Sequence, residues 1–171
     1  THRQSSAASD VYKRQEESHK ALDFAATVGS AAKKANVRRI IYNTCCWGPP
    51  EELGEVGQAG YDSVRLMVNM LMQGGVQTTT FQPVLFMDNL LTDWARKDIL
   101  EKDLYTYPHN PNLEASWICL DDVAKFMIAA IDRDDLVGRC INIGGPEVFV
   151  PPRVADLLSG HFGRPIKYEE L

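Results

Sequence analysis

The stretch that decides the fold runs from Asn36 to Asn89, and it opens with NVRRIIYNTCC over residues 36–46. A loop follows, then GYDSVRLMVNMLMQGGV over residues 60–76 and QTTTFQPVLFMDN over residues 77–89. Residues 37–44 form an apolar, β-branched run that is too continuous for a half-exposed strand, which favours burial in a parallel sheet. The order strand, loop, helix, strand predicts one crossover between parallel strands of an α/β fold.

Apolar spacing predicts the elements around the first strand. The first helix is predicted from Glu16 to near Asn36, and its stripe of small residues is suited to packing on a sheet. A second helix, between the two strands, is predicted to end at Gly74-Gly75. The second strand is predicted over Val76–Phe81 and ends at Gln82-Pro83, because proline cannot donate to a ladder. The stripe comprises Leu22, Ala25, Gly29 and Ala32, and the inward face of the second helix comprises Val64, Met67, Val68, Leu71 and Met72.

The C-terminal third continues the alternation of helices and strands. Asp121-Asp122 are predicted to cap a helix whose apolar face packs on the sheet through Val123, Phe126, Met127, Ala130 and Ile131. Residues 139–143 are predicted to form a strand, Gly144-Gly145-Pro146 a turn, and Pro151 to about Phe162 the last helix.

A doubly wound nucleotide-binding fold normally begins with a strand, a glycine-rich turn and a helix, but no G-x-G-x-x-G occurs in the chain. We therefore expect an α/β chain whose residues 16–171 are the C-terminal part of a doubly wound, Rossmann-like parallel-sheet fold. A small substrate-side subdomain is expected over about residues 84–171. Residues 1–15 are polar and without periodicity, and we expect them to be non-native or disordered.

Composition excludes several classes of function. The net charge is −5 and the chain has no basic stripe, so direct nucleic-acid binding is not expected. No apolar run is long enough to span a bilayer, which predicts a cytoplasmic protein without a membrane partner. The four cysteines, at positions 45, 46, 119 and 140, lack C-x-x-C or metal-ligand spacing. They are predicted to be reduced and buried, and no metal site is expected.

Several motifs taken together resemble the NmrA-like branch of the atypical short-chain dehydrogenase/reductases. The resemblance covers most of residues 16–171 and rests on the order of four segments. They are residues 36–89, SWICLDDVA at 116–124, GRCINIGGPE at 138–147 and GRPIKY at 163–168. It implies an NAD(P)-binding protein derived from an oxidoreductase that acts on a small carbonyl or quinone. The cofactor is expected to be NADP or NAD, with NADP preferred.

The resemblance also implies where the cofactor binds. The segment after the second strand, Phe86-Met87-Asp88-Asn89, corresponds to the one that wraps the nicotinamide end, where an amide can meet a carboxamide with donor and acceptor. The alternative for Asn89 is that it caps the next helix. Thr44 or Cys45 stands where a substrate-orienting serine often lies, and both are included among the expected cofactor contacts.

Candidate catalytic residues follow from the same resemblance. Short-chain dehydrogenases use a tyrosine followed one helical turn later by a lysine, and here Tyr61 and Arg65 have that spacing. Gln82 stands where the family has an arginine before a proline. Counting back from Gln82 places the family's lysine at Val64, one residue before Arg65. Tyr61 could therefore be only a helix-entry aromatic residue.

The segment between Trp94 and His109 is predicted to lie on the substrate side. Tyr105 and Tyr107 are candidate pocket residues, whereas His109 is expected to be solvated. The functional alternatives are a non-catalytic NAD(P)-sensing regulator and an inert fragment. An open edge at the first strand also predicts self-association of the chain.

Overall fold

The computed structural model describes residues 20–46 and 59–171, so the predictions for residues 1–15 and for the loop after the first strand lie outside the described residues. By chain contacts the molecule divides into two compact units. The first comprises the described residues up to Gln82 together with Phe126–Asn142, and the second comprises Pro83–Lys125 and Ile143–Leu171. The prediction of a substrate-side segment over residues 84–171 remains a prediction, and its residues 126–142 belong to the first unit.

The first unit contains the predicted crossover. Strand β1 (Arg39–Asn43) pairs in parallel with β2 (Gln77–Pro83), with Ile41 opposite Thr79. Helix α2 (Ala59–Gln73) connects them and ends before Gly75, which has φ +80°. Strand β6 (Cys140–Ile143) joins the other side of β2, giving the order β1-β2-β6. The α/β class predicted from the sequence is confirmed.

Helix α1 occupies residues 20–34, and its predicted stripe faces inward at Ala25 and Gly29. A Cβ on Gly29 would lie 4.0 Å from Leu71 of α2, an ordinary van der Waals distance, so α1 faces α2 at this position without requiring glycine. The inward face of α2 is also confirmed, because Val64, Val68 and Leu71 are all less than 9% exposed. Strand β1 is an edge strand among the described residues, and self-association through it remains a prediction.

Helix α4 (Leu120–Ala129) corrects two expectations. It begins at Leu120, so Asp121 and Asp122 lie within its first turn rather than at the cap, and their carboxylates pair with Lys125. In the first turn, these two carboxylates still interact favourably with the positive end of the helix dipole. Its apolar face is only partly covered: Val123 is buried, as is Ala130 just after the helix, whereas Phe126 is 44% exposed and its ring centroid lies 6.2 Å from that of Phe81.

The second unit contains short strands that give no periodic signal. Strand β3 (Leu85–Phe86) pairs in parallel with β5 (Ala115–Ile118), which pairs antiparallel with β7 (Val148–Phe149). Strand β4 (Leu104–Tyr107) pairs in parallel with β8 (Lys167–Glu170). Helices α3 (Asp93–Lys102) and α5 (Pro151–Phe162) complete the unit. Its core comprises Ile99, Tyr105, Tyr107, Trp117, Val154, Ala155 and Ile166.

The cysteines are free, as expected, but the prediction that they are buried is wrong. Cys45 and Cys140 are exposed, and Cys46 and Cys119 are half-buried. Cys45 lies beyond the end of β1, and Cys140 lies on β6, which has only one neighbouring strand among the described residues. None of the helices in the described ranges has both the length and the apolar character needed to span a membrane.

Candidate functional site

The predicted nicotinamide-binding segment lies in the second unit, where β3 passes into a 3₁₀ helix over Met87–Leu91. The Asp88 carboxylate accepts a hydrogen bond from the Leu120 backbone N–H at 2.8 Å, which satisfies a donor at the N-terminus of α4. The Asn89 side-chain amide donates to the Tyr107 hydroxyl at 3.0 Å. These two bonds fix the segment against two other elements of the unit.

The alternative role for Asn89, as the cap of the following helix, is wrong. The N-cap of α3 is Thr92, and its backbone N–H and hydroxyl both contact the Asn89 carbonyl oxygen. The sequence favoured Asn89 because asparagine is a frequent capping residue. The intervening 3₁₀ turn moves the start of α3 three residues further along the chain.

The same segment borders an apolar cavity of about 540 Å³ within the second unit. Met87 and Asp88 form one side of it, and helices α3 and α5 provide most of the remaining walls. This volume lies in the range of small-molecule sites, roughly 300–1,000 Å³. Its lining is apolar apart from three side chains, Asp88, Arg96 and His161, and the other lining residues are Met87, Leu90, Leu91, Ile99, Leu100, Cys119, Leu158 and Phe162.

The two candidate substrate tyrosines lie in the core of the second unit. Tyr105 has no exposed surface and Tyr107 is 4% exposed, and their ring centroids are 5.7 Å apart. Burial, with smaller contributions from Tyr107 and Tyr168, raises the pKa of Tyr105 far above that of a free phenol. Within the described chain the Tyr105 hydroxyl has no hydrogen-bond partner. Tyr105 therefore remains a neutral core residue.

His109 is more enclosed than its loop position predicted. Its ring centroid lies 4.6 Å from that of Tyr107, and its carbonyl oxygen accepts a hydrogen bond from the Tyr168 hydroxyl. Burial lowers the pKa of His109. His109 is therefore only partly solvated, because the Tyr107 ring packs beside its imidazole.

The contrast between the tyrosines gives a stability prediction. Tyr107→Phe removes the acceptor of Asn89 and is expected to lower the free energy of unfolding by about 1 kcal/mol. Tyr105→Phe removes a buried hydroxyl without a partner and is expected to leave stability unchanged or to raise it. Urea denaturation of both variants measures the difference. An equal loss in both would contradict the assigned hydrogen bonding.

The remaining candidates lie in the first unit. Thr44 is buried at the end of β1, and its hydroxyl lies within hydrogen-bonding distance of the carbonyl oxygens of Phe81, at 3.3 Å, and Cys46. Tyr61 and Arg65 both lie on α2, one turn apart. The Arg65 guanidinium lies 3.8 Å from the Asp62 carboxylate, and both side chains are mostly buried.

Sequence reasoning missed the close packing of Gly144-Gly145. A Cβ on Gly145 would lie 2.0 Å from the Trp117 carbonyl oxygen, and one on Gly144 would lie 2.4 Å from Ser116 Oγ. The Ser116 hydroxyl also donates to the Gly145 carbonyl oxygen at 2.8 Å. Paired glycines directly after a strand were the available signal, since such glycines often mark close approach of another backbone.

Comparison with known proteins gives relatives and fold neighbours. No protein-family profile matches the chain. An NAD(P)H azoreductase from Xenophilus azovorans is 27% identical over 147 residues, which are 86% of this chain and 49% of that protein. The chain therefore spans about half the length of this curated relative.

Two solved structures share the fold. A nucleoside-diphosphate-sugar epimerase from Staphylococcus aureus is 21% identical with a TM-score of 0.71, covering 90% of this chain and 52% of that one. An NADPH-dependent quinone oxidoreductase from Escherichia coli, solved with NADPH, is 18% identical with a TM-score of 0.70, covering 86% and 49%. The chain thus has the Rossmann-like α/β fold that these reductase and epimerase structures share.

Proposed function

We propose that the chain is part of an NmrA-like, NAD(P)H-dependent reductase of apolar, aromatic acceptors such as quinones. The observation that carries this proposal is the apolar cavity bordered by Met87 and Asp88, the segment expected to meet the nicotinamide. A nucleotide sugar would require many hydrogen-bonding partners, whereas this cavity offers few. The azoreductase relative supports a reductase over an epimerase.

The residues present suit only one end of the cofactor. Asn89 donates through its amide nitrogen to Tyr107, which orients the amide oxygen as an acceptor for a carboxamide N–H. Thr44 and Cys45 lie at the carboxyl end of β1, the end at which open α/β sheets bind ligands. The pyrophosphate would need a glycine-rich turn, and no such motif occurs in the sequence. NADPH, the preferred cofactor, would supply a hydride from its nicotinamide ring.

Within this proposal the chain's own residues have separate roles. Tyr61 and Arg65, one helical turn apart on α2, are the proposed proton-exchanging pair. Tyr107 holds Asn89 in its orientation, and Tyr105 packs behind Tyr107, so neither tyrosine needs to touch the substrate. The cavity walls exclude water and hold the acceptor ring.

A second candidate function is a regulator that binds NAD(P) without turnover. It is favoured by the Asp62 carboxylate, which lies 3.8 Å from the Arg65 guanidinium and offsets the positive charge that would assist Tyr61. NADPH binding without NADPH consumption in the presence of quinones would support this candidate.

The test of cofactor binding uses the protein with all of its encoded sequence. NADPH should bind, and Asn89→Ala should weaken binding about tenfold, equivalent to about 1.4 kcal/mol. Asn69→Ala, on the exposed face of α2, serves as the control and should leave affinity unchanged. Tyr107→Phe keeps the Asn89 side chain and should have a smaller effect. An unchanged dissociation constant in Asn89→Ala would reject this binding mode.

The test of acceptor chemistry uses two matched leucines. Leu100→Glu places a carboxylate on the cavity wall and should raise KM for an apolar quinone by about tenfold or more, because the charge resists desolvation. Leu113 is equally exposed, at 45% against 46% for Leu100, but does not line the cavity. Leu113→Glu should therefore leave KM unchanged. NADPH affinity should be the same in both variants, and equal KM values would place the acceptor elsewhere.

A further inference from the structure

Two adjacent thiols form a feature that the proposed reductase chemistry does not require. Cys45 and Cys46 directly follow β1, and both are free. The Cys45 side chain is exposed and Cys46 is half-buried, so the pair is accessible from solvent. The other two cysteines of the chain, Cys119 and Cys140, are each distant in sequence from any second thiol.

Side-chain contacts of Asn43, Thr44 and Cys45 hold the turn that carries the pair. The Asn43 side-chain oxygen accepts the Cys45 backbone N–H at 2.9 Å, forming an Asx turn, and the Cys45 thiol lies 3.9 Å from the Asn43 carbonyl oxygen. The Thr44 hydroxyl contacts the carbonyl oxygens of Cys46 and of Phe81 on β2. The backbone on both sides of Cys45 is therefore tied to the sheet.

Cys45 also has φ +60°, in the left-handed region that L-residues with a side chain rarely adopt. Such a conformation is strained and persists where surrounding contacts impose it. A disulfide between adjacent cysteines would add ring strain to this backbone. A bridging atom larger than sulfur, bonded to both thiolates, would span a wider distance and avoid that strain.

We propose that Cys45 and Cys46 form a chelating site for a trivalent arsenical, a soft electrophile that prefers paired thiols. With phenylarsine oxide, two S–H bonds break and two S–As bonds form. The arsenic-bound oxygen leaves as water with both protons, and no atom is oxidised or reduced. Because Cys45 is also an expected cofactor contact, the site is tested in the absence of NADPH.

The surroundings of Cys46 affect both the protonation of its thiol and the ordering of the turn before the arsenical binds. Burial, and to a lesser extent Cys45, raises the pKa of Cys46, so its thiol is protonated near neutral pH. The Cys46 thiol then delivers one of the two protons that the departing water requires. Since the hydrogen bonds of Asn43 and Thr44 hold the two residues before the ligand arrives, less ordering remains to oppose binding.

The test is retention of phenylarsine oxide in the presence of excess glutathione, measured by intact mass. A monothiol displaces an adduct on one cysteine, whereas a chelate should survive until a dithiol such as dithiothreitol is added. We expect one retained phenylarsenic group in the chain and in Cys119→Ser/Cys140→Ser, and none in Cys45→Ser or Cys46→Ser. Retention in either of these single variants would overturn the proposal.

A second measurement asks whether the folded turn matters. Affinity for phenylarsine oxide should fall at least tenfold in urea concentrations that unfold the chain, because the adjacent thiols remain but the turn is lost. Asn43→Ala should show a partial loss in the folded chain. Equal affinity in the folded and unfolded chain would overturn the role of the turn as part of the site.

Discussion

Gly145→Ala is expected to lower the free energy of unfolding by at least about 3 kcal/mol, the upper range for inserting a group into a packed interior. The new Cβ would lie 2.0 Å from the Trp117 carbonyl oxygen and 3.2 Å from the adjoining carbonyl carbon. Both atoms belong to the backbone of β5, so no side chain can rotate away. Relief requires β5 and the turn after β6 to separate, which also breaks the bond from Ser116 to the Gly145 carbonyl.

The matched control is Gly160→Ala in α5. An added Cβ there meets nothing within 4 Å, and alanine is favoured over glycine in a helix by about 0.5–1 kcal/mol. This variant should therefore be slightly more stable than the parent chain. Urea denaturation followed by circular dichroism measures both changes. If Gly145→Ala unfolds at the same urea concentration as the parent, the close approach of the two backbones is not as described.

Arg39→Met should also destabilise the chain strongly, by about 3 kcal/mol. The Arg39 side chain is only 4% exposed, and its guanidinium donates to the carbonyl oxygens of Ala130, at 3.1 Å, and Ile131, at 2.8 Å. These carbonyls follow the last turn of α4, where a cation is favoured by the helix dipole. The guanidinium also contacts the Asp134 carboxylate and the Gln77 side chain. Methionine keeps the apolar part of the side chain, so the loss of stability measures the contribution of the guanidinium's hydrogen bonds and ion pair.

The neighbouring arginine provides the control. Arg38 makes a similar set of contacts, with the Asp132 carboxylate at 2.7 Å and the Ile131 carbonyl at 3.2 Å, but its side chain is 63% exposed. Water replaces such contacts readily, and Arg38→Met should cost less than about 1 kcal/mol. The difference between the two variants in urea denaturation isolates burial as the cause. Similar losses in both would contradict it.

The spacing of apolar residues alone was enough to predict the long helices and strands. The spacing of Val64, Val68 and Leu71 gave the buried face of α2, and the continuous run before Asn43 gave a parallel strand. Proline at the start and glycine after the end marked α5 at its observed bounds, Pro151–Phe162. These signals are local, because each depends on residues within one or two turns of each other.

The short strands and the site lay beyond such signals. A two-residue strand such as β3 or β7 has no period, and only its partner strand defines it. The bond between Asn89 and Tyr107 joins residues on different elements, so nothing near Asn89 in sequence distinguished it from a helix cap. The buried state of Arg39 also depends on Ala130 and Ile131, which follow it by about ninety residues.

By itself, then, the sequence determined the α/β class and the order of the long helices and strands, and the family resemblance supplied the segment at which a nicotinamide cofactor is proposed to bind. The tertiary structure alone decided which polar groups are paired, that Tyr105 and Tyr107 are core residues, and that an apolar cavity borders Met87 and Asp88. The physical reason is the separation along the chain over which each interaction acts. Backbone preference and amphipathic spacing act between neighbours in the chain, whereas burial and hydrogen bonding depend on residues that only folding brings together.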